Sequence, residues 1–265
     1  PLIPLVRVVS RSYVKLLASA AAMTTGPSDK SRAYLEARKV STPFVFVPNS
    51  VDLKRFNPED VTPETRLSFR QSLGIDARDT VGIFSGRLGR EKSVDALLQY
   101  WAETVSSGDE CHLVLVGDGP EKEALHQLAD DLGITHLVHF MGKIPYEKMP
   151  LYYQAADVFV TASTTEMMSI SLLEAQAMGL PVLQRFDPWN AGQVVNGVNG
   201  YTYESAREFS QHMAYFHHLS PEDKAAWRQR CRHVVGRQGA TDLARRLLRV
   251  YEEAASLKTM RLVNV

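Results

Sequence analysis

Two carboxylates eight residues apart, Glu166 and Glu174, are the side chains in this sequence best placed to do chemistry; they lie in the stretch 164–182, TTEMMSISLLEAQAMGLPV. Glu166 falls in a short polar break. Glu174 falls in the second turn of the apolar helical run that follows and stops at Gly179-Leu180-Pro181. The backbone N–H groups of Met168, Ser169 and Ile170 would open that helix as unpaired donors, and a helix start of that kind attracts phosphate through its free donors and its positive dipole end. A diphosphate flanked by two hydroxyl-bearing rings would suit the place. Taken alone, the pair fits a capping carboxylate and a dipole-favoured one equally well. Glu174, however, has Leu172, Leu173, Ala175, Ala177 and Met178 around it, and a carboxylate among apolar side chains needs a hydrogen-bond donor. A ribose diol supplies two.

A second constellation is Ser85-Gly86-Arg87-Leu88-Gly89-Arg90-Glu91-Lys92, a loop that ends a predicted strand and opens a predicted helix. Ligands of open parallel sheets bind at such loops. Gly86 lets the backbone come close, while Arg87 and Lys92 supply a guanidinium and an ammonium that would neutralise a diphosphate and hold its charge as it departs. Solvated charges around a turn explain this loop by itself equally well. It is neither a G-x-G-x-x-G fingerprint nor a phosphate loop ending in Gly-Lys-Ser/Thr. Val116-Gly117-Asp118-Gly119-Pro120 reads first as a capped helix start, with Pro120 in the first turn. Met141-Gly142-Lys143-Ile144 is a turn whose backbone at Gly142 and Lys143 could meet a flat base.

The elements that must position these loops alternate. Short apolar or β-branched runs at Thr80–Ser85, His112–Val116, His136–Phe140, Val158–Thr161, Pro181–Gln184 and Val198–Thr202 are separated by helical patterns over 91–106, 120–131, 145–155 and 170–178. That is an α/β chain with a Rossmann-like parallel sheet flanked by helices. After Tyr203 only helices are expected, over 204–218, 221–236 and 239–257. Before Thr80 lies a different unit: an amphipathic helix over 5–20, a strand Ala21–Thr25, a helix Ser28–Ala37 and a strand Phe44–Val47. Residues 57–65, with Pro58 and Pro63, read as a linker. Residues 1–43 are expected to be the end of an upstream domain and 44–265 the ligand-binding one.

Lys and Arg total 30 against 30 Asp and Glu, so no global field argues for a nucleic-acid partner. Residues 1–55 carry nine basic against three acidic side chains. Cys111 and Cys231 have no ligand spacing, and free thiols in a reducing compartment with no metal site are expected. No apolar run reaches membrane-spanning length. The chain opens at Pro-Leu-Ile-Pro inside an apparent element, as a fragment or processed product would.

Together, Pro48-Asn49-Ser50-Val51-Asp52 with Arg55, Phe56 and Pro58, then Ser85 to Lys92, then Val116 to Pro120, then Glu166 to Glu174 with Gly179-Leu180-Pro181-Val182, resemble the family 4 (group 1) retaining glycosyltransferases of GT-B fold, over about residues 20–257. The resemblance implies transfer of a hexose from a nucleotide sugar, with UDP-hexose favoured, to a lipid or glycan acceptor with retention. It implies a diphosphate gripped by Arg87 and Lys92 and the amides of Met168, Ser169 and Ile170, a ribose on Glu174, and a sugar oriented by Glu166, with Gly86, Gly142 and Lys143 lining the donor site. No cofactor and no metal are implied. The family places a small residue, an aromatic and a glycine after the first glutamate; Met167-Met168-Ser169 departs from this and bears on donor choice. The run from Gly86 to Ser93 is similar to that of enzymes glycosylating diacylglycerol, and the basic 5–20 segment suits an anionic membrane surface. A cytoplasmic protein lying at the inner face is the corresponding expectation, and this chain alone, holding the donor site with little acceptor domain, is expected to bind donor and not to turn over. A non-catalytic nucleotide-sugar-binding protein and an epimerase of GT-B shape are the alternatives.

Overall fold

The computed structural model describes residues 2–105, 111–190 and 192–263, with side chains for 11–105, 111–189 and 192–257. The chain divides into two compact units, one of residues 51–237 and one joining residues 1–50 to 238–265. This grouping takes the last helix out of the sheet unit, whereas the expected boundary at 43/44 kept it there.

In the larger unit six strands form one parallel sheet: β3 (Thr80–Ser85), β4 (Cys111–Val116), β5 (Val138–Gly142), β6 (Val158–Thr161), β7 (Val182–Arg185) and β8 (Gly200–Tyr203), numbered after β1 (Thr24–Gly26) and β2 (Phe44–Phe46) of the smaller unit. Their spatial order is β5-β4-β3-β6-β7-β8. Every residue of β3 and β4 is buried, which is why both read as mostly apolar runs rather than alternating ones. Alternation survives in where the side chains go: Val81 and Ile83 join Val114 and Val116 in one core, whereas Phe84 joins Leu113 and Leu115 in the other. The sheet therefore has a hydrophobic layer on each face.

Helices supply the outer layers. In α4 (Val94–Val105) the buried residues are Val94, Leu97, Leu98, Trp101 and Thr104, the spacing of one helical face. The others in this unit are α3 (Pro63–Ser72), α5 (Lys122–Asp131), α6 (Met149–Ala155), α7 (Ile170–Ala177), α8 (Ala206–His217) and α9 (Pro221–Val235). The smaller unit holds α1 (Leu2–Ala20), α2 (Asp29–Glu36), the parallel pair β1-β2 and α10 (Ala240–Val263). Residue 106 of the helix expected over 91–106 lies outside the described residues.

The stretch expected as a linker is a correction. Residues 57–65 hold a 3-10 turn at Pro58–Asp60 and then the start of α3, whose N-cap Thr62 accepts from the Thr65 N–H with Pro63 in the first turn. A proline that punctuates a linker is equally suited to the first helical position, where its missing N–H costs nothing. Two arginines of α3 then dock the helix: Arg70 Nη2 and Arg66 Nη2 donate to the two oxygens of Asp157, and Arg70 also donates to the carbonyls of Ala155 and Asp79. Asp157 accepts the Val81 N–H as well, so one carboxylate ties α3, β3 and the start of β6 together. Burial opposes its charge, yet Arg70 and Arg66 hold its carboxyl below the usual range.

Candidate functional site

The strand order reverses beside β3. The chain runs β3 to β4 to β5 outward, then returns so that β6 lies on the other side of β3. The carboxyl ends of β3 and β6 therefore flank the switch point, where open α/β sheets hold ligands. Lys92 sits in the loop after β3 and Glu166 in the loop after β6. Lys92 Nζ donates to Glu166 Oε1 at 2.5 Å, both side chains being largely buried. The Ser163 hydroxyl donates to the same oxygen at 2.9 Å, and the Thr165 hydroxyl donates across to the Glu91 carbonyl at 2.8 Å. The two loops are thus joined by a charged pair and a backbone contact, 74 residues apart in sequence.

Close backbone approach, the property expected of Gly86, is required most sharply at Gly117. A Cβ on Gly117 would lie 1.8 Å from the Gly86 carbonyl oxygen, while one on Gly86 would meet only the Phe84 ring. Gly86 N–H donates to Val116 and Gly117 N–H to Gly142, so the turns after β3, β4 and β5 are laced in a row along the carboxyl edge. Gly142 itself turns at φ 67°, and Lys143 beside it is exposed.

Arg87 is placed differently from Lys92. Its guanidinium is two-thirds exposed and pairs with Glu91 Oε1 at 3.7 Å rather than with Glu166 or Glu174. The structure brings Lys92 to Glu166; it leaves Arg87 on the rim of the same loop.

Glu174 is buried in α7, as its apolar neighbours require, and its donors are two tyrosines. Tyr146 hydroxyl donates to Oε1 at 2.7 Å and Tyr153 hydroxyl to Oε2 at 2.8 Å, with Ser85 Oγ donating in turn to the Tyr153 oxygen at 2.6 Å. Burial pushes the Glu174 carboxyl up while the two tyrosine bonds pull it down, and burial prevails. Neither tyrosine was among the residues picked from sequence. The signal was available: they are seven residues apart, two turns of one helical face, in the segment preceding β6.

The expectation of three unpaired amides at the start of α7 is corrected at Ser169. Gln193, from the connection between β7 and β8, accepts the Ser169 N–H at 3.0 Å and donates to the Ser169 carbonyl at 2.8 Å. Ser169 is also the N-cap, its hydroxyl accepting from Leu172 N–H. Nothing in the Gln193 neighbourhood of the sequence announces this pairing, which depends on the register of two distant loops. Met168 packs on the core and Ile170 is exposed. Among the described residues no cluster of His, Cys, Asp and Glu could hold a metal ion, and both cysteines are buried free thiols.

Residues 65–234 match the family model described as "Glycosyl transferases group 1". The alpha-monoglucosyldiacylglycerol synthase of Acholeplasma laidlawii is 31% identical over 193 residues, 73% of this chain and 48% of that one. A GDP-mannose-dependent monoacylated alpha-(1-6)-phosphatidylinositol monomannoside mannosyltransferase of Corynebacterium glutamicum is 33% identical over 147 residues, 53% of this chain and 38% of its own length. The chain thus spans about half or less of these relatives. Among solved structures, Anabaena HepE in complex with UDP and glucose superposes with a TM-score of 0.81 at 20% identity over 92% of this chain and 67% of that one. Sucrose-phosphate synthase of Thermosynechococcus elongatus gives 0.78 at 22% identity, covering 93% and 61%.

Proposed function

The chain belongs to the group 1 glycosyltransferases, and from that premise we propose that it carries the donor half of a retaining hexosyltransferase taking a nucleotide sugar, UDP-hexose favoured, toward a lipid or glycan acceptor. The observation that carries the proposal is the Lys92–Glu166 pair at the switch point, with α7, the helix that bears Glu174, starting four residues after Glu166. The diphosphate lies against the N-terminal turn of α7 and Lys92, with Arg87 swinging in from the rim. Lys92 leaves Glu166 for the phosphate, and the freed Glu166 accepts hydroxyls of the sugar. Glu174 holds the ribose diol.

Bond cleavage at the anomeric carbon moves a negative charge onto the departing phosphate. Lys92 and Arg87 stabilise that charge where it develops, which is the electrostatic contribution a preorganised cation makes. The acceptor hydroxyl attacks from the face the phosphate leaves and passes its proton to the phosphate oxygen, so Glu166 orients and does not attack. No metal is needed, because the two cations neutralise the leaving group. A lipid acceptor is favoured by the names of the relatives, one a diacylglycerol glucosyl enzyme and another a phosphatidylinositol mannoside enzyme. The basic segment over 5–20 would then lie at an anionic surface, placing the protein at the cytoplasmic face of the membrane; among the described residues no helix is long and apolar enough to cross one.

A thermal-shift series with UDP-, GDP- and ADP-sugars tests the reading. One of them at a hundred times its dissociation constant should add about 2.7 kcal/mol to stability. No shift with any of the three, at millimolar concentration, would refute it.

A further inference from the structure

The two tyrosines on Glu174 are not equivalent. Tyr153 is fully buried, its ring sits edge-on to Phe56, and its hydroxyl is bonded on both sides, to Glu174 and to Ser85. Tyr146 is 45% exposed. It stands on a three-residue 3-10 turn, Tyr146–Lys148, that begins four residues after the left-handed Gly142. Its ring is held by the edge of Phe56 at 5.5 Å and by the Arg55 guanidinium at 4.8 Å. One tyrosine is therefore built into the core, while the other is a surface side chain whose hydroxyl reaches inward to a buried carboxylate.

That contact has a chemical reason. A buried carboxylate left without donors is expensive, so the protein supplies a hydroxyl to each oxygen. A diol brings the same donor groups. It competes for Oε1 with Tyr146, whose own oxygen can return to water because its side chain already lies at the surface, whereas Tyr153 has no such exit. Resting on the reading of Glu174 as the ribose ligand, we propose that Tyr146 is a latch: its hydroxyl stands in for a sugar hydroxyl on Glu174, and a ribose diol displaces it. Tyr146 is thus a positioning and selectivity residue of the donor site, keeping Glu174 oriented until a ligand with vicinal hydroxyls replaces it. A nucleotide lacking both hydroxyls leaves the latch closed.

The test is titration calorimetry of the 265-residue chain with UDP, GDP and ADP and with the 2′,3′-dideoxy form of whichever binds. Tyr146→Phe, which removes only the oxygen, should tighten the ribonucleotide about threefold to tenfold, the worth of one net hydrogen bond no longer broken on binding. It should leave the dideoxynucleotide unchanged. Tyr146→Ala should act in the same direction, and Tyr153→Phe should weaken binding. Wild-type melting behaviour in the Tyr146 variants secures that they fold. Ribonucleotide binding that is unchanged or weaker in both Tyr146 variants overturns the latch while leaving the donor reading intact, as does an equal change for the dideoxy form. Absence of binding to all three diphosphates by the wild-type chain overturns the donor reading, and the latch with it.

Discussion

Lys92 carries its charge in a largely buried position with one carboxylate for company, so what it does depends on what else enters the site. Removing it as Lys92→Ala should weaken a nucleoside diphosphate about 10- to 100-fold, the worth of one charge-assisted hydrogen bond; titration calorimetry reads this directly. Arg87→Ala should cost less, since its guanidinium is exposed and engaged with Glu91. Glu166 and Lys92 could be singled out from the sequence because residue type and loop position sufficed, and the structure pairs them with each other. Gln193 could not be, because it acts through a contact set by tertiary register, and the spacing of Tyr146 and Tyr153 marks a shared helical face without naming the carboxylate that face meets. Glu174 stands between: its apolar surroundings announced a need for donors, but not that the protein itself meets it.

Among the elements, the six strands of the large sheet were legible to within two residues, while β1 begins three residues later than the strand read at Ala21–Thr25. β3 and β6 fall where their apolar runs lie. β5 begins two residues later than read, because Thr135–Leu137 forms a 3-10 turn that carries His136 out of the strand. The helix α3 was missed, since its Pro63 marks a linker and a helix start alike. Its docking is testable: Arg70→Met should destabilise the protein by about 2–4 kcal/mol in urea denaturation, because Asp157 would keep only Arg66 as a cationic partner in ion-pair contact. Gly117→Ala should lower stability by a comparable amount, about 2–4 kcal/mol, and abolish nucleotide binding, since its Cβ would strike the Gly86 carbonyl. At the opposite edge of the sheet, His112 on β4 and His139 on β5 stack and share a hydrogen bond at 3.1 Å, with Asp79 beside His112. Burial, reinforced by His112, pulls the His139 imidazole down to about 4. Between its ordinary pKa near 6.5 and about 4, the unfolded chain binds a proton that the folded one refuses, so stability falls as pH drops through that window. Allowing for the partial exposure of the ring, the loss is about 1–2 kcal/mol between pH 7 and 4.5. Urea midpoints at the two pH values check it, and His139→Gln should flatten the dependence.

At the scale of the whole molecule, the parallel sheet places three glycine-bearing turns and two charged loops along one edge, although they are spread from Gly86 to Glu166 in the sequence. Fold class and strand sequence were readable from alternation alone, because a buried parallel sheet needs apolar strands separated by helices. The spatial order was not, and the switch point follows from that order. The unit of 51–237 contains every residue of the proposed site, so donor binding should belong to it. A crystal structure of the chain soaked with UDP-hexose is the most direct measurement. The account predicts the diphosphate on Lys92 at the start of α7 and the ribose diol on Glu174 with Tyr146 turned away; a nucleotide bound elsewhere, with Lys92 still on Glu166 and Tyr146 still on Glu174, would contradict it.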